Sequence, residues 1–236
     1  MVVIALDTSH ARGGAALAVD GRVRGERTFG DTSHLVELAR SVDSLLRDAG
    51  LGARDVERVA IVRGPGSFTG LRVGLAWAKG LCAGSGASLV TMGSLELIAR
   101  AHAGAGVVCA MIDARREEIY GALFEVAASG GDDGPATIVE PCARAPESFL
   151  RALPRAPRLA AGTGALRYAA LMREVFPEVV IAGADGAQPS AALLARLAPR
   201  LEPAGAQRLR EMEPVYLRAG VAKPLKPIDA DGRTHH

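Results

Sequence analysis

A chain of 236 residues with 49% hydrophobic and 23% charged side chains has an ordinary globular composition, which excludes disordered and fibrous classes. At this length folding hides roughly 70% of the unfolded chain's surface, so neither a disulfide nor a metal is needed to build a core. A formal net charge of +2 with scattered arginines and only 4% aromatic residues gives no basic stripe interleaved with rings, which argues against this chain as the main binder in an RNA assembly.

The longest apolar stretches meet Arg72 and Lys79 before reaching the roughly 20 residues a bilayer span needs. No basic leader precedes Val2-Val3-Ile4, so the expected location is the cytoplasm, with no membrane partner. Cys82, Cys109 and Cys142 stand far apart without a CxxC spacing and read as small core residues.

In chain order, Val2 to Thr8 is an apolar run with a polar end, the pattern of a buried strand. Ala15 to Val19 and Val23 to Phe29 flank Asp20-Gly21, whose tolerance of positive φ favours a hairpin. Ser33 can cap a helix that carries Leu35, Leu38, Val42 and Leu45 at helical spacing and stops at Gly50. Strand Val59 to Val62 leads through Gly64-Pro65-Gly66-Ser67 into a helix from about Phe68 to Ala83, then a strand from Ala87 to Thr91 and a helix capped by Ser94. The first hundred residues read β-β-β-α-β-α-β-α.

The opening then repeats. Val107 to Asp113 echoes Val2 to Asp7 with one residue inserted, and Ile119 to Val126 follows as Ala15 to Val19 did. Two mixed α/β halves are expected, 1–104 and 105–219, with the last helix of the second half packing back on the first, then a flexible tail over 220–236. A cleft between them would place Asp7 and Asp113 face to face near its floor.

Glycines at the strand-to-helix turn of Arg63 to Arg72 suit two uses: converging backbone amides on an anion, or letting chain segments pack closely. The known phosphate signatures do not fit. No Gly-Lys-Ser/Thr follows Gly64 and Gly66, Thr69 replaces the third glycine of a dinucleotide turn, and Ser67 lacks the flanking glycines of a nucleophile elbow. Asp7 and Asp113 are oxygen ligands suited to magnesium, but Thr8-Ser9 and Ala114-Arg115 put side chains where phosphate needs bare backbone. Asp7, Thr8, Ser9, Gly64, Gly66, Ser67 and Asp113 thus describe a vestigial nucleotide cleft, with no metal site and no catalytic residue assigned. Glu117-Glu118 beside Arg115-Arg116 reads as a solvated charged turn.

The helix from Phe68 is apolar nearly all round. Gly70, Gly74 and Ala78 form one smooth face, while Leu71, Leu75, Trp77 and Leu81 cover other sides. One stripe covers the sheet; the excess, with His34, Leu35, Leu38, Val42 and Leu45 of the preceding helix, is expected to meet another polypeptide. Alone, the same face would close on itself as a two-fold homodimer.

Ile4 to Ser9, the His34 helix, Arg63-Gly-Pro-Gly-Ser-Phe-Thr-Gly-Leu-Arg72 running on to Lys79-Gly80-Leu81, Ile112 to Arg116 with Ile119-Tyr120, and Pro214-Val-Tyr-Leu-Arg218 together resemble the TsaB (YeaZ) family over about nine tenths of the chain. The resemblance implies an actin-like ATPase (ASKHA) fold of two ribonuclease-H-like mixed-sheet halves. It also implies a role in forming N6-threonylcarbamoyladenosine beside the anticodon of tRNAs. In that family the transfer belongs to the paralogue TsaD, which binds metal through a His-x-x-x-His pair; His34 and Leu38 hold those places here, so the site is broken. The same substitution speaks against a metallopeptidase. The resemblance further implies a non-catalytic platform that pairs with TsaD through the two N-terminal helices and helps recruit the ATPase TsaE. ATP and metal would then be used by the partners, and tRNA reached only through the complex. The competing expectation is an active actin-fold kinase or hydrolase using Asp7 and Asp113.

Overall fold

The structure, a computed structural model, describes residues 1–30, 34–127, 134–184 and 188–218. Ser33, the side chains of His34 and Leu35, most of the Gly130 to Gly134 loop and the tail over 220–236 lie outside the described residues.

β1 (Val2–Asp7), β2 (Gly13–Val19) and β3 (Arg22–Phe29) form an antiparallel meander. Asp20 and Gly21 both take positive φ at the tight turn joining β2 and β3. After α1 (His34–Asp48), β4 (Arg58–Val62) pairs parallel to β1. After α2 (Phe68–Ser85), β5 (Ser88–Met92) pairs parallel to β4. The strand order is β3-β2-β1-β4-β5.

α3 (Ser94–Arg100) then leads into β6 (Gly106–Asp113), β7 (Ile119–Val126) and β8 (Ala136–Arg144), a second antiparallel meander. α4 (Pro146–Arg151) precedes β9 (Leu159–Ala161), and α5 (Thr163–Arg167) and α6 (Ala169–Val175) precede β10 (Val180–Ile181). These last two strands add in parallel beside β6 and give the order β10-β9-β6-β7-β8. Read from the third strand of each half, the two sheets have the same order and the same senses. The echo between Val2–Asp7 and Val107–Asp113 is therefore a duplicated ribonuclease-H-like topology, the two-lobed plan of actin-like ATPases.

Burial follows strand alternation. On β1, Ile4 and Leu6 face a core completed by Leu38, Val42 and Leu45 of α1 and Leu75 and Ala78 of α2; Val3 and Ala5 face the other core. With both faces covered, β1 reads as a continuous apolar run, as parallel-type central strands do. α3 serves both lobes, giving Leu97 to the first sheet and Leu95, Ile98 and Ala99 to the second.

The chain crosses back after β10. α7 (Ala191–Leu197) lies on β1 and β2, and its Leu194 and Ala195 belong to the core of the first lobe. Met212, beyond α8 (Ala206–Glu211), packs beneath α1 and α2 in the other core of that lobe. Residues from Ala191 onward thus pack chiefly on the first lobe, which shortens the second half expected from sequence. Arg58 locks this return by donating through its NH1 to the carbonyls of Ala198, Pro199 and Leu201 at 2.8, 3.1 and 3.2 Å.

Two local expectations need correction. Gly93, not Ser94, occupies the N-cap of α3; Ser94 is the first helical residue and its hydroxyl donates to the Pro65 carbonyl, tying the helix to the turn before α2. The smooth Gly70, Gly74 and Ala78 face of α2 is not an outward face. It is buried, together with Leu38, Val42, Leu45, Leu71 and Leu75, in the chain's own interior, and Trp77 and Leu81 are half-buried against the same core.

The reason is a close approach. A Cβ at Gly70 would stand 2.1 Å from the Thr8 carbonyl oxygen, and one at Gly74 would stand 2.1 Å from Thr8 Oγ1. Only bare backbone lets α2 reach the end of β1. The opposite side of the pair is what faces solvent. It comprises Val36 and Ala39 on α1 and Ala76, Gly80, Ala83 and Gly84 on α2, with Arg40 and Arg72 beside them.

Candidate functional site

The polar ends of β1 and β6 meet the α2 turn in a cleft of about 430 Å³ whose walls include Ser9, His10, Gly66, Ser67, Asp113, Arg115, Thr163 and Arg218. Asp7, Thr8, Ser9 and His10 form a buried polar run where β1 leaves the sheet. Asp7 Oδ1 accepts from the Ser9 backbone N-H at 2.8 Å and from Ser9 Oγ at 2.6 Å. The Ser9 hydroxyl hydrogen is thereby committed, so the 2.7 Å contact between Ser9 Oγ and His10 Nδ1 places the imidazole proton on Nδ1. Burial pushes the His10 pKa down against the opposing pull of the Asp7 carboxylate, 3.9 Å from Nδ1, and the ring is neutral at pH 7.

Asp113 mirrors Asp7 by topology and is equally occupied. Its Oδ1 accepts from the Arg115 N-H at 3.0 Å, and its Oδ2 is ion-paired with Arg167 at 2.7 Å, which raises the guanidinium pKa. Among the described residues no three His, Cys, Asp or Glu side chains converge as a metal would require.

The glycine turn resolves the two uses left open by the sequence. Ser67 N donates to the Ser9 carbonyl at 2.7 Å, and Ser67 Oγ accepts from Gly70 N as the cap of α2. A Cβ on Gly66 would meet Ser9 O at 2.2 Å. Gly64, at φ +110, lies against Val215, whose N-H donates to Arg63 O. The turn seats the β1–β2 connection and the C-terminal segment, and close packing is what its bare backbone provides.

The segment Pro214 to Arg218 ties the lobes together. Tyr216 packs against Phe68 as a tilted ring pair with centroids 5.2 Å apart, and its hydroxyl accepts from Arg72 Nε at 2.9 Å. Arg218 pairs with Glu118 at 2.6 Å and donates to the Arg115 carbonyl at 3.0 Å. Glu118 is therefore a tether rather than a solvated charge. Arg115, Arg116 and Glu117, in the β6–β7 turn, all take left-handed φ of 63°, 52° and 58°, a conformation that costs roughly 1–2 kcal/mol per non-glycine residue. The tether holds that turn at the cleft mouth.

Of the residues expected from sequence, the cleft is lined by Ser9, Gly66, Ser67 and Asp113, while Asp7, Thr8 and Gly64 are buried and outside its lining; sequence reasoning did not single out His10, Arg72 or Arg167. The Thr-Ser-His run directly after a strand-ending aspartate was the available signal for His10. The Arg167–Asp113 pair carries no local signal, because 54 residues separate its members, and Arg72 reaches Tyr216 across 144 residues although its Phe68 contact has helical i, i+4 spacing.

Comparison with known proteins agrees with this architecture. A family model described as TsaD, tRNA N6-adenosine threonylcarbamoyltransferase, matches residues 29–214. The tRNA threonylcarbamoyladenosine biosynthesis protein TsaB of Haemophilus influenzae is 31% identical over 92% of this chain and 94% of its own. The Escherichia coli protein of the same name is 33% identical over 53% of this chain and 56% of its own. The solved structure of YeaZ from Pseudomonas aeruginosa superposes with a TM-score of 0.74 at 28% identity, covering 92% of this chain and 99% of that one. A duplicated ribonuclease-H-like plan, the glycine turn that seats β1 on α2 and this full-length similarity place the chain in the TsaB (YeaZ) family.

Proposed function

We propose that this chain is a non-catalytic platform in tRNA threonylcarbamoyladenosine formation, pairing with a TsaD-like paralogue through the solvent side of α1 and α2. Recruitment of a TsaE-like ATPase belongs to the same reading, as do homodimerisation of the free chain through this face and a cytoplasmic location. No helix among the described residues is long and apolar enough to cross a membrane.

The observation that carries the reading is the outer face itself. Val36 is 48% exposed on α1, and Ala39 on the same helix and Ala76, Gly80, Ala83 and Gly84 on α2 are exposed small residues that let another helix pair approach closely. In the cleft, the carboxylate of Asp113 is neutralised by Arg167 and that of Asp7 accepts from Ser9, which supports leaving nucleotide and metal chemistry to partner subunits.

Ala76→Arg and Gly80→Arg test the interface by size-exclusion chromatography with the TsaD-like paralogue. Substitution of Gly74 or Leu38 would instead disrupt the interior, where both are buried. Loss of co-elution with a melting temperature no lower than the parent's is expected. Co-elution that survives both arginines refutes the assigned face.

A further inference from the structure

Aromatic side chains make up only 4% of the chain, yet Phe68, Tyr120 and Tyr216 meet at one rim of the interlobe cleft, each half-exposed. Arginines interleave with them. The Arg72 guanidinium lies 4.0 Å above the Phe68 centroid and 5.8 Å from that of Tyr216, and Arg218 lies 5.9 Å from the Tyr120 centroid. Arg115 and its neighbour Arg116 are exposed at the same mouth, held there by the left-handed turn, and among the described residues no ion pair engages either guanidinium.

Ring faces that accept stacked bases, alternating with cations that meet phosphates, are the two elements of single-strand nucleic-acid recognition. The fold assembles here what the sequence disperses: Phe68 and Arg72 come from α2, Arg115 and Tyr120 from the β6–β7 hairpin, and Tyr216 and Arg218 from the C-terminal segment. Charge favours the same occupant. The positive groups Arg72, Arg115 and Arg116 are exposed against the one exposed carboxylate of that turn, Glu117, whereas Glu118 and Asp113 are already neutralised by Arg218 and Arg167.

We propose that this rim is a direct contact surface for unpaired RNA. Resting on the function proposed above, that RNA is the anticodon loop of the tRNA undergoing modification. Arg72 stands one helical turn before Ala76, so the rim adjoins the proposed docking face. A loop held by the paralogue would cross onto this chain at that point.

Fluorescence anisotropy of the full chain with a labelled anticodon stem-loop tests the proposal, alongside Tyr120→Ala, Arg116→Ala and Arg72→Ala. Tyr120→Ala is expected to raise Kd roughly 5- to 150-fold, the range for losing one base stack. Each arginine change should weaken binding and reduce the slope of log affinity against log salt by about 0.7, as one lost phosphate contact on a single strand does. Arg155→Ala, whose arginine pairs with Glu125 at the far end of β7, should leave Kd unchanged.

Ultraviolet crosslinking of the unaltered chain should map to Phe68, Tyr120 or Tyr216, a result independent of any variant's folding. Absence of saturable binding, parental affinity in all three variants, or crosslinks confined to other surfaces overturns the proposal. The same variants are run with the TsaD-like paralogue. Lost co-elution with unchanged RNA affinity would make the rim a protein contact and overturn the inference. RNA binding at this rim without co-elution would instead sink the pairing and leave the RNA surface standing.

Discussion

Two glycines on α2, six residues apart, should respond oppositely to the same substitution. In an exposed helix interior Gly→Ala stabilises by about 0.8–1 kcal/mol, because alanine has less backbone freedom to lose. Gly80 meets that condition, since an added Cβ finds nothing within 4 Å. Gly74 does not: its Cβ would lie 2.1 Å from Thr8 Oγ1 and 3.1 Å from Thr8 Cβ, and Thr8 is fully buried with no room to turn aside.

Overpacking of this kind costs about 1–3 kcal/mol, and a contact this short belongs near the upper end, leaving a net loss of about 2 kcal/mol after the helix gain. With a urea dependence of about 2 kcal/mol per M, the midpoint should fall by about 1 M for Gly74→Ala and rise by about 0.4 M for Gly80→Ala. Thr8 Oγ1 has no hydrogen-bond partner among the described residues, so Thr8→Ala removes the obstacle without breaking a bond. The double variant Thr8→Ala/Gly74→Ala should recover about 1–2 kcal/mol of coupling in a mutant cycle. Equal stabilisation by Gly74→Ala and Gly80→Ala would show that α2 does not seat on Thr8, and the assignment of its inner and outer faces would fail with it.

Arg58→Ala removes three charge-assisted bonds that hold the returning chain on the first lobe and should cost about 2 kcal/mol, read as a fall of roughly 4–8 °C in calorimetric Tm. His10 has a folded pKa below its unfolded value near 6.5, so the unfolded state binds the proton first. Its stabilisation is complete above pH 6.5 and is lost as pH falls toward the folded pKa, at no more than about 1.4 kcal/mol per pH unit. Urea titrations at pH 7.5 and 5.5 should show a smaller loss for His10→Asn than for the parent; equal losses would refute a buried neutral ring. Burial pushes the Cys82 thiol up to about 11 and Cys109 up to about 12, so a thiol reagent at pH 8 should leave both untouched until denaturant is added. Rapid labelling of either in the native state would contradict the packing of its lobe.

The continuous apolar runs of Val2–Asp7 and Val107–Asp113, the Asp20-Gly21 turn and the periodicity of α1 are local properties, so the elements and the duplicated halves were legible from residues alone. The role of the glycine turn was not. Its bare backbone suits an anion or a close neighbour equally, and only Ser9 and Val215, hydrogen-bonded to Ser67 and Arg63 across 58 and 152 residues, decide for packing. The cleft carboxylates show the same division. That Asp7 and Asp113 end equivalent strands follows from pattern, whereas the neutralisation of Asp113 depends on Arg167, supplied by α5 across the lobe.

What the sequence by itself determined was the order and type of the elements, the helices α1 and α2 among them, and their repetition. Which side of those helices faces inward was decided only by tertiary structure. Helical periodicity gives Gly70-Gly74-Ala78 and Ala76-Gly80-Gly84 the same smooth spacing, and a propensity scale cannot tell them apart. The end of β1 can: Thr8 occupies the space beside Gly70 and Gly74 while nothing approaches Gly80 or Gly84, so excluded volume orients the helix and leaves the second stripe to solvent.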